Sequence, residues 1–174
     1  KASFCPCTHE EADTRMLLHV FHAVQTGIRH VMLRTVDTDV VVICIACFNK
    51  LQVDSLWIAF GVGKNFRYLA VHEIAGALGP SNSIALPLFH ALTGCDTVSS
   101  FSARGKRSAY DTWKNFPALT DALLKLSSDP TSMSDAHVVA VVERFVVLLY
   151  DRTSESESVD ACRKHLFASK GRSM

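Results

Sequence analysis

The stretch VMLRTVDTD, Val31–Asp39, decides how the chain reads. Its first residues, VMLRT, have the composition of a short buried strand. Asp37 and Asp39 follow directly at the carboxyl end of that strand. Next comes VVVICIACF, Val40–Phe48, an apolar run too short for periodicity to separate helix from strand.

Upstream, Thr8 and Glu11 have the Thr-x-x-Glu spacing of a capping box. Met16, Leu17, Val20, Phe21 and Val24 then recur at helical spacing, and Gly27 is a natural stop. Downstream, SLWIAFG reads as a strand. Gly61, Gly63, Lys64 and Asn65 make a turn, and FRYLAV returns as another strand. HEIAGAL, His72–Leu78, is a short helix ended by Gly79-Pro80, after which Ser81 or Ser83 is a candidate cap for the next helix, running to Gly94. Beyond a polar, basic connector at Ser99–Arg107, the pattern is helical: Lys106 to Phe116, ALTDALLKL, HVVAVVERFVVLLY and Val159 to Ser169, with DRTSESES an exposed acidic linker. Helix and strand alternate in the front half and helix fills the back half, an α/β fold with a parallel sheet and a helical C-terminal part.

The composition describes a globular chain large enough for one core. It has 174 residues, 48% of them hydrophobic and 20% charged, and a net charge of +1. So small a net charge gives no global attraction to nucleic acid, and any such binding needs a local patch. No uninterrupted apolar run is long enough to span a bilayer. The cysteines, at 5, 7, 44, 47, 95 and 162, lack the compact spacing of a disulfide framework. Cys44 and Cys47 sit in an apolar run as buried thiols do, which suits a reducing compartment, cytosol or nucleus. Cys5, Cys7 and His9 are an incomplete zinc set.

Acidic residues stand at the ends of regular elements: Glu11 and Asp13 at a helix start, Asp37 and Asp39 after a strand, Asp96 after a helix. Each has a plain reading as a dipole-complementing residue, an Asx-turn or a cap. Together they offer what magnesium or manganese requires, hard oxygen donors with water completing the shell. A two-metal site draws such carboxylates from separate segments, activates water and stabilises in-line displacement at phosphorus. Arg104, Gly105, Lys106, Arg107 and Lys114 form a basic connector and helix start suited to backbone phosphates. Arg34 is a candidate buried charge partner for the carboxylates, and Lys64 and Arg67 lie near a turn within possible reach of a nucleic-acid strand.

From Glu11 to about Phe116 the order of these motifs resembles the flap endonuclease group of PIN-like 5′-nucleases. The family's Glu-x-Glu helix is matched by Glu11-Ala12-Asp13. Its Thr-x-Asp-x-Asp strand end is matched by Thr35-Val36-Asp37-Thr38-Asp39. A hairpin and short helix ending in Leu-Gly are matched by FRYLAVHEIAGALG, and Leu-x-Gly-x-Asp by Leu92-Thr93-Gly94-Cys95-Asp96. The helix–two-turn–helix pattern Gly-x-Gly-x-Lys-x-Ala is matched by Ala103-Arg104-Gly105-Lys106-Arg107-Ser108-Ala109, with alanine at the first glycine. The family uses that turn to hold a monovalent ion against a DNA phosphate.

The resemblance implies a PIN-like nuclease core over residues 1–117 and a helical extension over 118–174. It implies a structure-selective nuclease that cuts DNA, or RNA, with two Mg2+ or Mn2+ ions. Asp37, Asp39 and Asp96 would serve one ion, with Glu11 and Asp13 nearer the other. The family's first strand, which carries further aspartates, has no counterpart in these residues, so the chain reads as truncated at its N-terminus. Two other functions fit: a PIN-like nucleic-acid-binding module without turnover, and a haloacid-dehalogenase-like phosphatase. In the latter, Asp37 of Asp37-Thr38-Asp39-Val40-Val41 would be the nucleophile.

Overall fold

The structure is a computed structural model and describes residues 11–170. These residues form an α/β fold, mostly helical, with a three-stranded mixed sheet and seven helices. Two compact units divide the chain, one running to Pro87 and one from Leu88 onward.

In the first unit, helix α1 (Ala12–Gln25) buries Leu17, Val20 and Val24 of the expected helical stripe, while Met16 is half-buried and Phe21, at the margin of that face, is 49% exposed. Gly27, at φ 93, takes the left-handed conformation that ends it. Strand β1 (His30–Thr35) follows, then helix α2 (Thr38–Leu51), strand β2 (Ser55–Phe60) and strand β3 (Arg67–Ala70). The run Val40–Phe48 is therefore helix. Two reasons stand out: Asp37 caps it, its side chain accepting the Asp39 N–H, and parallel strands β1 and β2 require a crossover between them. Val40, Val41, Val42, Cys44 and Ile45 are all buried, so this helix is apolar on nearly every side.

The sheet order is β1-β2-β3. β1 pairs in parallel with β2 from His30↔Ser55 to Thr35↔Phe60. β3 pairs antiparallel with β2, so the sheet is mixed and not wholly parallel as the sequence suggested. The tight turn around Gly63–Asn65 leaves no length for a crossover. Gly61 is required in that turn: its φ is +84, and a Cβ there would meet the Asn65 carbonyl oxygen at 2.6 Å. β1 is a half-exposed edge strand, against the expectation of burial, with Met32 60% exposed. Val31, Leu33, Leu56, Ile58 and Leu69 point to the other face, where α1 and α2 supply Val20, Val40 and Cys44 to the core.

Helix α3 (Val71–Leu92) is broken at Gly79, whose φ of 75 and ψ of 164 are not helical. It resumes at once with Pro80, so neither Ser81 nor Ser83 acts as the expected cap. Ser83 is fully buried and its hydroxyl donates back to Ala75 O.

The second unit is helical. α4 (Lys106–Lys114), α5 (Ala118–Ser128), α6 (Ala136–Tyr150) and α7 (Val159–Lys170) follow the end of α3. Phe89 stacks on Trp113 at 4.4 Å and meets Phe145 edge-on, with Leu119, Leu123, Val138 and Val147 buried in the same unit. Trp113 Nε1 donates to Thr120 Oγ1, so the buried indole N–H is satisfied. The acidic linker before α7 is only partly exposed. Arg144 donates to Ser156 O, and Glu143 accepts the Val159 N–H at the start of α7.

Candidate functional site

The first unit gathers carboxylates from two segments far apart in sequence. Glu11 occupies the N-cap position of α1 and Asp13 lies in its first turn. Asp37 is the N-cap of α2 and Asp39 lies in that first turn. α1 packs on α2, and Asp13 lies near enough to Asp37 and Asp39 to feel their charges. The Asp13 carboxyl is consequently held above its ordinary value, first by partial desolvation, then by the charges of Asp37, Glu11 and Asp39.

Local hydrogen bonds fix the second pair. The Asp37 N–H donates to Thr35 Oγ1 at 3.0 Å, and the Asp39 N–H donates to Asp37 Oδ1 at 2.8 Å. Thr35 thus orients the loop between β1 and α2, a role the strand pattern alone did not reveal. Capping takes one acceptor position of Asp37 and leaves the rest of its carboxylate lone pairs for other ligands. The plain reading, capping, and the functional one are therefore compatible.

The donor set fits a divalent cation of the hard class. All four groups are carboxylates, and the repulsion felt by Asp13 is what such a cation would relieve. Among the described residues, no three His, Cys, Asp or Glu side chains close on a single point as a ready-made metal cage. Magnesium takes only one or two carboxylates directly and keeps several waters, so it does not require that closure.

Asp96 belongs to the second unit. It is exposed on a tight turn in which Cys95 and Val98 exchange backbone hydrogen bonds of 3.0 and 3.1 Å. Gly94 before it has φ +100, and a Cβ there would lie 2.7 Å from Ser100 Cα, so only glycine fits.

Arg34 is exposed and not a buried partner of the carboxylates. It donates to Ala59 O and Gly61 O and lies over the Phe66 ring at 5.0 Å. Lys64 and Arg67 are exposed, and Arg67 overlies Phe60 at 5.2 Å.

In the basic connector, Arg104 donates to Tyr150 O at 2.9 Å and overlies its ring, which ties it into the helical unit. Lys106 Nζ donates to His90 O and Thr93 Oγ1, which ties it to the end of α3. Arg107 and Lys114 are exposed. Gly105 is the N-cap of α4 and offers no side-chain cap. Ala103 has φ 56, a conformation that glycine adopts without strain. Cys5, Cys7, Thr8 and His9 lie outside the described residues.

Comparison with family models, with characterised proteins and with solved structures found no match for this chain. Among the described residues, no helix is long and apolar enough to cross a membrane.

Proposed function

We propose that this chain carries the core of a metal-dependent, structure-selective nuclease of the PIN-like, flap endonuclease type, acting on DNA or RNA. The observation that carries this reading is that Asp13 of α1 feels the charges of Asp37 and Asp39 of α2. Helix dipoles account for one acid at each N-terminus. They do not account for the acids of two different helix starts repelling one another.

The geometry around that cluster supports the same reading. Asp37 and Asp39 stand beyond the carboxyl end of β1, where open α/β sheets take their ligands. The β2–β3 hairpin, the break in α3 at Gly79 and the glycine turn at Gly94 belong to this reading. The left-handed Ala103 occupies the first glycine of the two-turn pattern. Among the described residues β1 is an edge strand of the sheet.

In this reading Glu11, Asp13, Asp37 and Asp39 of the first unit hold Mg2+ or Mn2+. The ions, when bound, supply Lewis-acid stabilisation of the charge that develops at phosphorus. Thr35 and the α2 cap hold Asp37 in place. The uncapped backbone N–H groups at the start of α4, with Lys106, Arg107 and Lys114, position a backbone phosphate without reading sequence.

The test is cleavage of flap, nicked and hairpin DNA in Mg2+. The expected result is cleavage by the wild type and none by Asp37→Asn with Asp39→Asn. Cleavage that survives the double substitution overturns the mechanism. Accumulation of a phosphoenzyme lost in Asp37→Asn would instead favour the phosphatase.

A further inference from the structure

The sheet of the first unit has a second face, set by alternation opposite the core. The register places Arg34 beside Ala59 and Tyr68, and Met32 beside Trp57 and Ala70. Met32 is 60% exposed, Tyr68 57% and Phe66 40%, while Trp57 is half-buried. Phe66 meets Tyr68 edge-on at 5.1 Å, and the Arg34 guanidinium lies over Phe66. Lone exposed apolar residues are ordinary, but a contiguous aromatic patch marks a binding surface.

Charge narrows the class of ligand. The strands and hairpin turn, residues 30–35 and 55–70, contain Arg34, Lys64 and Arg67 and no aspartate or glutamate, and of the two arginines Arg34 shares this face while Arg67, opposite Phe60, alternates to the other. An apolar protein partner would need no such one-sided balance. Flat aromatic rings beside an arginine plane, with cations alongside and no acid, match unpaired nucleobases on a phosphate backbone. A duplex hides its base faces and could use only the cations.

We propose that this sheet face is a stacking platform for single-stranded nucleic acid, with bases on Tyr68 and Phe66 and phosphates near Arg34 and Lys64. It deepens the nuclease proposal, on which it rests for the class of ligand, by assigning an unpaired strand of the substrate to a surface away from the carboxylates. Tyr68 lies on an edge strand and is largely exposed, so its truncation leaves the core intact.

The test is fluorescence anisotropy on the full chain in EDTA. The probes are a labelled oligothymidylate of about 12 nucleotides, within the usual site size, and a duplex of equal length. The single strand should bind more tightly than the duplex. Tyr68→Ala and Phe66→Ala should each weaken that binding roughly tenfold, and Tyr68→Phe should retain it. Wild-type affinity in both alanine variants, or equal affinity for the duplex, overturns the proposal. So does sedimentation showing a dimer that Tyr68→Ala dissolves, because the face would then pair with a second copy. Asp37→Asn with Asp39→Asn removes cleavage on the nuclease reading but should leave this binding unchanged, so the two proposals fail separately.

Discussion

The carboxyl of Asp13, in the first turn of α1, is raised in part by the negative charge of Asp37, the N-cap of α2. The native state therefore binds a proton at Asp13 more tightly than the unfolded chain does. Its contribution to stability is fully present below the ordinary value of 3.8 and is lost as pH rises through the elevated folded value. At neutral pH the cluster stores repulsion.

A divalent cation should release that repulsion. At roughly ten times its dissociation constant, Mg2+ should stabilise the chain at neutral pH by about 1.4 kcal/mol, a rise in Tm of about 3–5 °C. The effect should vanish on acidification below the Asp13 titration. Asp13→Asn should raise Tm in EDTA and shrink the Mg2+ response. Thermal melts across pH, with and without Mg2+, check both signs.

Gly94→Ala should destabilise the second unit by about 2–4 kcal/mol, because φ +100 and the close approach of Ser100 both exclude a Cβ. Urea unfolding followed by Trp113 fluorescence measures it. Equal stability of the variant would show that the Cys95–Val98 turn is looser than described.

Ala103→Gly should do the opposite. Removing the left-handed strain of an L-residue gains about 1–2 kcal/mol, and the entropy of glycine returns about 0.5–1. The net is a stabilisation of about 0.5–1 kcal/mol. Ala109→Gly, in the buried face of α4, serves as the control and should lose about 1 kcal/mol.

Cys44 is fully buried, and burial, followed by neighbouring Cys47, pushes its thiol up to about 12. Native protein at mildly alkaline pH should leave Cys44 unalkylated by iodoacetamide, while Cys95, only partly buried on its turn, reacts. Peptide mass mapping before and after denaturation separates the two. Early modification of Cys44 would mean that α2 opens locally.

The sequence foretold the elements wherever local chemistry was decisive. Ser55–Phe60 and its return strand are bounded by Gly61 and Gly63, and α4 starts at Gly105 and stops before Pro117. It was silent where tertiary context decides. Val40–Phe48 has an apolar pattern that suits either state, and only the parallel pairing of β1 with β2 demands a helix there. Ser83 has the look of a cap, yet the break at Gly79 turns it inward toward Ala75. Arg34 was placed by its neighbours in sequence beside Asp37, but strand alternation sends it to the sheet's other face and onto Phe66. The four acids of the first unit were legible as candidates. Their mutual approach was not, because it depends on how α1 packs against α2.

The most direct measurement of the central claim is a titration of Mn2+ into isotopically labelled protein, following amide signals by NMR. Paramagnetic broadening should begin at the N-termini of α1 and α2, at Asp13 and Asp39 before the rest of the first unit, and Asp37→Asn should weaken it. Broadening that starts elsewhere, for instance around His19 and His22 on α1, or that ignores the substitution, would contradict the assignment of a cation to these carboxylates.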